Sequence, residues 1–226
     1  MNGKIGGLVC MVVMGAALYA RADSPPAASS ETVITSDELE FLDNGARTVF
    51  TGHVVLTQEP NQLLADRMVK IKSTGNIEAE GHVHGTWKGD KGEKSIATGR
   101  NALYRPSEKI TELWGNAKMT RWETAVDTRP VTVTADHFTA FDNDHTVYAK
   151  GHVHMEQKQG LRTWSDEAKY DQTAQTITLW GVTPVLVHWE DAKGSADFKS
   201  ERAWLLVSPK RVKLIKDVHG HIIPAS

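Results

Sequence analysis

Thr48 to Gln58, TVFTGHVVLTQ, puts Phe50, Gly52, Val54 and Leu56 on one parity and Val49, Thr51, His53 and Val55 on the other. A period of two is that of a strand whose alternate side chains face opposite ways, one side able to be buried and the other wet. The construction returns along the chain. Asp37, in Ser36-Asp37, precedes Gly52 by fifteen residues, and the same step of fifteen joins Asp66 to Gly81, Asp136 to Gly151 and Asp166 to Gly181. A middle copy reads as Thr98-Gly99 leading Gly115 by sixteen, with Gly in place of Asp. A sixth start, Ala196-Asp197, meets Val212 fifteen residues on, which reads as a terminal copy altered to close the stack. Self-similarity at about thirty residues marks an architecture of stacked supersecondary units.

The other copies repeat the alternation. Ile77, Ala79, Gly81 and Val83 share one parity, as do Leu113, Gly115, Ala117 and Met119, then Val147, Ala149, Gly151, Val153 and Met155, then Ile177, Leu179 and Gly181. The Asp-led runs are shorter, with Leu39 and Phe41, Met68, and Phe138 on the parity of their Asp. Turn-forming clusters separate the runs: Leu42 to Gly45, Ser73 to Asn76, Lys88 to Glu93, Arg105 to Ser107, Asp142 to Asp144 and Asp171 to Ala174. Apart from an expected turn of helix near Val33, the mature chain reads as all β. The repeated Gly falls on the apolar parity, where a side chain would obstruct a bend or the close approach of an opposing sheet. An elongated open β-jelly-roll follows, a solenoid-like stack of bent antiparallel hairpins around a continuous apolar slot.

Charge and the N-terminal stretch point to an exported protein and away from nucleic acid. The formal charge of -2 gives no basic face for nucleic acid. Lys4, the uncharged run Ile5 to Ala20 and the small-x-small Ala20-Arg21-Ala22 fit a signal peptide over residues 1–22, cleaved after Ala22. An uncleaved anchor is the alternative, although a span usually needs ~20 apolar residues. Cleavage removes Lys4, Arg21 and Cys10, the one cysteine, and takes the formal charge from -2 to -4. Residues 23–32, DSPPAASSET, read as a flexible lead-in, 33–216 as the β domain and 217–226 as a C-terminal tail.

The pattern SDELEFLDNGARTVFTGHVVLTQEPNQLLADRM, followed by IEAEGHV and repeated as TADHFTAFDNDHTVYAKGHVHMEQ, resembles the LptA/OstA-like family of periplasmic lipopolysaccharide-transport proteins. The likeness runs from about Val33 to about Val187. It implies an open β-jelly-roll that stacks end to end through its edge strands and shields acyl chains inside, with no cofactor and no chemistry. The implied partners are lipopolysaccharide, homologous domains in inner-membrane and outer-membrane transport proteins, and further copies of the same chain. Two departures are the middle copy without its Asp and an insertion at Trp122 to Pro130.

The candidate lipid contacts are the apolar residues of the inward parity: Leu39, Phe41, Phe50, Val54, Leu56, Met68, Ile77, Val83, Leu113, Met119, Phe138, Val147, Val153, Met155, Ile177 and Leu179. Burying a methylene is worth ~0.8 kcal/mol, so a lipid with several long chains gains tens of kcal/mol from a dry shelter. No GxxxxGK[ST] loop is present to supply directional work. His53, His82 and His152 recur at one position, with His84 and His154 two residues on, but Asn116 breaks the column and the parity is polar, so they read as solvated histidines with no metal. The Asp column reads as turn or edge caps, not as a glycan-cleaving acid and base, which would need one carboxyl of raised pKa at a set distance from another. Neither a cysteine nucleophile nor a GxSxG elbow is left in the mature chain, and no enzyme is expected.

Overall fold

Alternating apolar and polar residues, punctuated by Asp, Asn, Gly and Pro, give a single antiparallel 14-stranded sheet in the computed structural model. The structure describes residues 32–88, 92–122, 130–157, 160–206 and 211–225. The expected signal peptide and its cleavage site, most of the lead-in and most of the 122–130 insertion lie outside the described residues. In chain order the strands are β1 (Val33–Thr35), β2 (Glu38–Leu42), β3 (Arg47–Gln58), β4 (Asn61–Ile71), β5 (Ile77–Lys88), β6 (Lys94–Arg105) and β7 (Ile110–Trp122). They continue as β8 (Val131–Phe141), β9 (Thr146–Gln157), β10 (Leu161–Asp171), β11 (Thr176–Asp191), β12 (Gly194–Leu206), β13 (Arg211–Ile215) and β14 (His219–Pro224).

From β3 to β12 every strand pairs with its sequence neighbours. Each end of the sheet is finished by two short strands. β2 covers one half of β3 and β1 the other, while β13 and β14 divide β12 in the same way. The stretch from 217, expected as a tail, thus contributes β14 to the sheet. Val33 begins a strand and not the expected turn of helix; a short 3-10 turn occurs instead at Asp43–Gly45.

Each long strand is interrupted near its middle by a register shift. Between β3 and β4, Thr51 pairs with Arg67 and Val54 with Ala65, so Gly52 and His53 together oppose Asp66. Both bulged residues are left-handed, with φ of 77° and 46°. Such a bulge bends the strand and sharpens its twist. Repeated in register, it folds the whole sheet along one line, so that the two halves of its apolar face look at each other.

The Asp to Gly step of fifteen is a contact across this line. A Cβ on Gly52, Gly81 or Gly151 would fall 2.2–2.3 Å from the Oδ2 of Asp37, Asp66 or Asp136. The glycines are therefore required by a carboxylate on the neighbouring strand and by their own φ, and not by an opposing sheet as the parity suggested. The Asp residues, apart from Asp37, stand in mid-strand and not at a strand entrance: Asp66 lies within β4 and Asp136 within β8.

Two repeats differ from their reading in the sequence. In the middle copy the Asp position is taken by Arg100, fifteen residues before Gly115, whose added Cβ would lie 2.7 Å from the Arg100 Cβ. The sixth copy is Ser200-Glu201, not Ala196-Asp197. Glu201 lies fifteen residues before Lys216, donates its N–H to the Lys216 carbonyl at 3.1 Å and accepts two bonds from Lys216 Nζ at 2.7 and 2.8 Å. Lys216 and Asp217 reproduce the left-handed pair with φ of 67° and 47°. Ser36, Ser165 and Ser200, each just before its acid, donate Oγ–H to the carbonyl two residues on at 2.8–3.0 Å.

Candidate lipid slot

The register builds the slot as rows of side chains running across the strands. On one side of the fold line Phe50, Met68, Ala79, Ala102, Leu113, Phe138, Ala149, Ala168, Leu179 and Ala203 are successive cross-strand partners. On the other side Leu56, Leu63, Gly85, Ala97, Met119, Val133, Met155, Thr163, Val187 and Phe198 form the matching row. Small residues set against large ones let the facing halves interdigitate. Among the described residues no two strands that are not hydrogen-bonded neighbours bring their backbones close, so the halves meet through side chains alone.

Over β7 to β11 the halves leave a slot enclosing about 1050 Å³, part of it open to solvent, in which about 120 Å³ takes the centre of a water molecule. Its walls are almost wholly apolar, with Phe138, Val147 and Leu179 on one half and Val133, Val153 and Met155 on the other. A second, narrower space of about 430 Å³ continues it toward β4. Trp87 lines both, its ring folded over Gly85 where a Cβ would lie 2.0 Å from the indole, so this side chain divides the interior.

Of the sixteen residues named from the sequence, Val54, Leu56, Met68, Val83, Leu113, Phe138, Val147, Val153, Met155 and Leu179 are buried in the common core. Phe50, Ile77, Met119 and Ile177 are half-buried against it. Seven of these fourteen line the larger slot: Met119, Phe138, Val147, Val153, Met155, Ile177 and Leu179. Leu39 and Phe41 depart from expectation. They follow the interior parity, Leu39 opposite Phe50, but on the end strand β2, where no further strand covers them, and they are 52% and 66% exposed. Missed in the sequence were Val131 and Val133, which precede the Asp and so fell outside the runs read from it, Arg121 and Gln172, whose polarity hid their position, and Tyr170, which shares the parity of Asp166 but was not counted among the candidates. For Trp87 a signal existed, since it continues the parity of Val83 and Gly85.

On the outer side of the fold line His53, His82 and His152 are solvated, as their parity required, yet each is paired, whereas His84 and His154, two residues on, are half-buried and His154 stacks on Trp164 with Nε2 buried. His53, His82 and His152 hold Nδ1 at 2.7–2.8 Å from Oδ2 of Asp37, Asp66 and Asp136. The hydrogen bond and negative charge of the partner Asp raise the pKa of His53 and His152 above the usual value. Asp166 lacks a histidine and instead accepts from the Thr183 N–H at 2.8 Å and hydroxyl at 2.9 Å, bonds that lower its pKa. A general acid needs the opposite shift. Among the described residues no group of three His, Cys, Asp or Glu is arranged to hold a metal.

Residues 33–131 match the family described as LptA/(LptD N-terminal domain) LPS transport proteins. That stretch, somewhat under half of the chain, is similar to the LptA and LptD N-terminal domains. The match spans β1 to the start of β8 and takes in the first three of the six bends. No curated protein matches the chain. Among solved structures, LptH of Pseudomonas aeruginosa, the LptA-homologous periplasmic component of lipopolysaccharide transport, is 14% identical with a TM-score of 0.35, over 84% of this chain and 98% of that one.

Proposed function

We propose that the chain is a periplasmic carrier of lipopolysaccharide, holding acyl chains in the slot while the sugar headgroup stays in water, and that it bridges inner- and outer-membrane transport proteins through its end strands. The observation that carries this is the largely apolar face of the folded sheet, interior to every strand from β3 to β12 and opening as a slot over β7 to β11. Acyl chains need only a dry lining of loose shape, at ~0.8 kcal/mol for each methylene sheltered. The open ends support the bridging role. β1, β2, β13 and β14 leave backbone groups for an incoming strand, and Phe41 and Ile222 beside them are 66% and 76% exposed. Transport in one direction requires work from a partner, since a slot binds and releases passively.

The test is photo-crosslinking. A probe at Val153 or Ile177, inside the slot, should capture lipopolysaccharide, and one at His152, on the outer side of the same strand, should not. Equal capture at Val153 and His152, or none at either slot position, overturns the proposal.

A further inference from the structure

Arg121 is the one ionised side chain among the described residues that line the slot. It projects from β7 and crosses to β10, where Nη1 donates to the Tyr170 hydroxyl at 3.0 Å and Cζ lies 5.8 Å from the ring centroid. Tyr170 in turn donates to Gln175 Oε1 at 3.3 Å, and Gln175 Nε2 donates to the Gln172 carbonyl at 2.6 Å. A guanidinium has five donors in a planar fork suited to two-point contact with a phosphate or carboxylate. Here no carboxylate of the described residues pairs with it, and Nε is buried without a partner. Gln172, 9% exposed and lining the same slot, likewise holds Oε1 buried and unpartnered.

Nothing in a slot meant for hydrocarbon alone calls for this arrangement. Arg121 is half-buried, with Nε wholly so; even partial burial of a charge in apolar surroundings is costly unless it is paired, and an unmade bond on a charged group costs more than one on a neutral group. A neutral side chain would close the slot equally well. The cost is recovered if the ligand brings an anion to that point, where the low local dielectric strengthens the contact. An acceptor at Gln172 Oε1 would then take a hydroxyl or N–H beside the anion. Tyr170 is a weak partner for a guanidinium compared with a phosphate, so it can hold Arg121 across the slot and release it.

We infer that Arg121 is an anion-binding residue of the slot, taking a phosphate carried by the bound amphiphile, with Tyr170 as the neutral partner that the phosphate displaces. This rests on the slot being an acyl-chain shelter. The two ideas are separated with a pair of probes sharing one tail: palmitoyl lysophosphatidic acid, which has the phosphate, and monopalmitoylglycerol, which lacks it. Binding of each to the full chain is measured by calorimetry for the native protein and for Arg121→Gln, Arg121→Lys and Tyr170→Phe.

The native protein should prefer the phosphate-bearing lipid by at least about tenfold, equivalent to ~1.4 kcal/mol. Arg121→Gln should erase that preference and leave monopalmitoylglycerol binding unchanged, Arg121→Lys should keep part of it, and Tyr170→Phe should keep or enlarge it. A preference that survives Arg121→Gln overturns the inference while the shelter stands. A preference lost equally in Tyr170→Phe also overturns it, since the Arg121–Tyr170 bridge would then be purely structural. If neither lipid binds the native protein, the shelter itself fails.

Discussion

Gly151→Ala tests the bend on which the slot depends. Gly151 has φ of 77°, and a Cβ there would lie 2.2 Å from Asp136 Oδ2, 2.8 Å from its Cγ and 2.9 Å from its Cβ. The left-handed backbone alone costs an alanine about 1–2 kcal/mol. Displacing Asp136 from its rotamer adds about 0.5–1.5 kcal/mol. It also breaks the 2.8 Å contact with His152, which is solvent-exposed and adds little. The expected loss is about 2–3 kcal/mol, read as a lower urea midpoint by tryptophan fluorescence. The same substitution in an Asp136→Ala background meets no carboxylate, only the Cβ, and should cost about 1–2 kcal/mol. A loss below ~0.5 kcal/mol in the native background, or equal losses in both backgrounds, would refute the account of why glycine recurs.

Other expectations concern the interior and one half-buried acid. Thr163 is 0% exposed in the apolar row, and its Oγ1 has no partner, so Thr163→Val should stabilise by about 1 kcal/mol in urea unfolding. Leu179, also 0% exposed, should cost about 2–5 kcal/mol on replacement by Ala, seen as a lower Tm. Burial pushes the Asp142 pKa up to about 6 from 3.8. An acid whose folded pKa is raised loses stability as pH climbs from its unfolded value through its folded one, so Asp142→Asn should raise Tm at pH 7.5 and leave it nearly unchanged at pH 3.5.

Much of this was legible because period two and burial share a cause. The parity that grouped Phe50, Val54 and Leu56 also holds across the bulge, since Gly52 and His53 add their residue without flipping the face that Val54 presents. The step of fifteen was legible too, as the chain distance from a mid-strand residue round a turn to its neighbour. Its meaning was not. Sequence shows which residue types recur, whereas the bend needs a position, which is why Arg100 and Glu201 escaped notice while filling the place of Asp. Leu39 and Phe41 carry the right pattern and lack only a neighbour, something no single chain's alternation reveals. Arg121 was hidden for the opposite reason: a charge on an apolar face reads as noise until the Tyr170 hydroxyl is seen opposite it.

Because every backbone bond in the sheet runs to an adjacent strand, and each bend is closed by a side chain, an acid everywhere except Arg100, that reaches only its neighbour, the molecule has no built-in count. Copying or excising one two-strand unit would change its length and leave every remaining junction as it was. Distance spanned can therefore be adjusted by gene duplication in whole steps, as a ruler is extended by identical divisions.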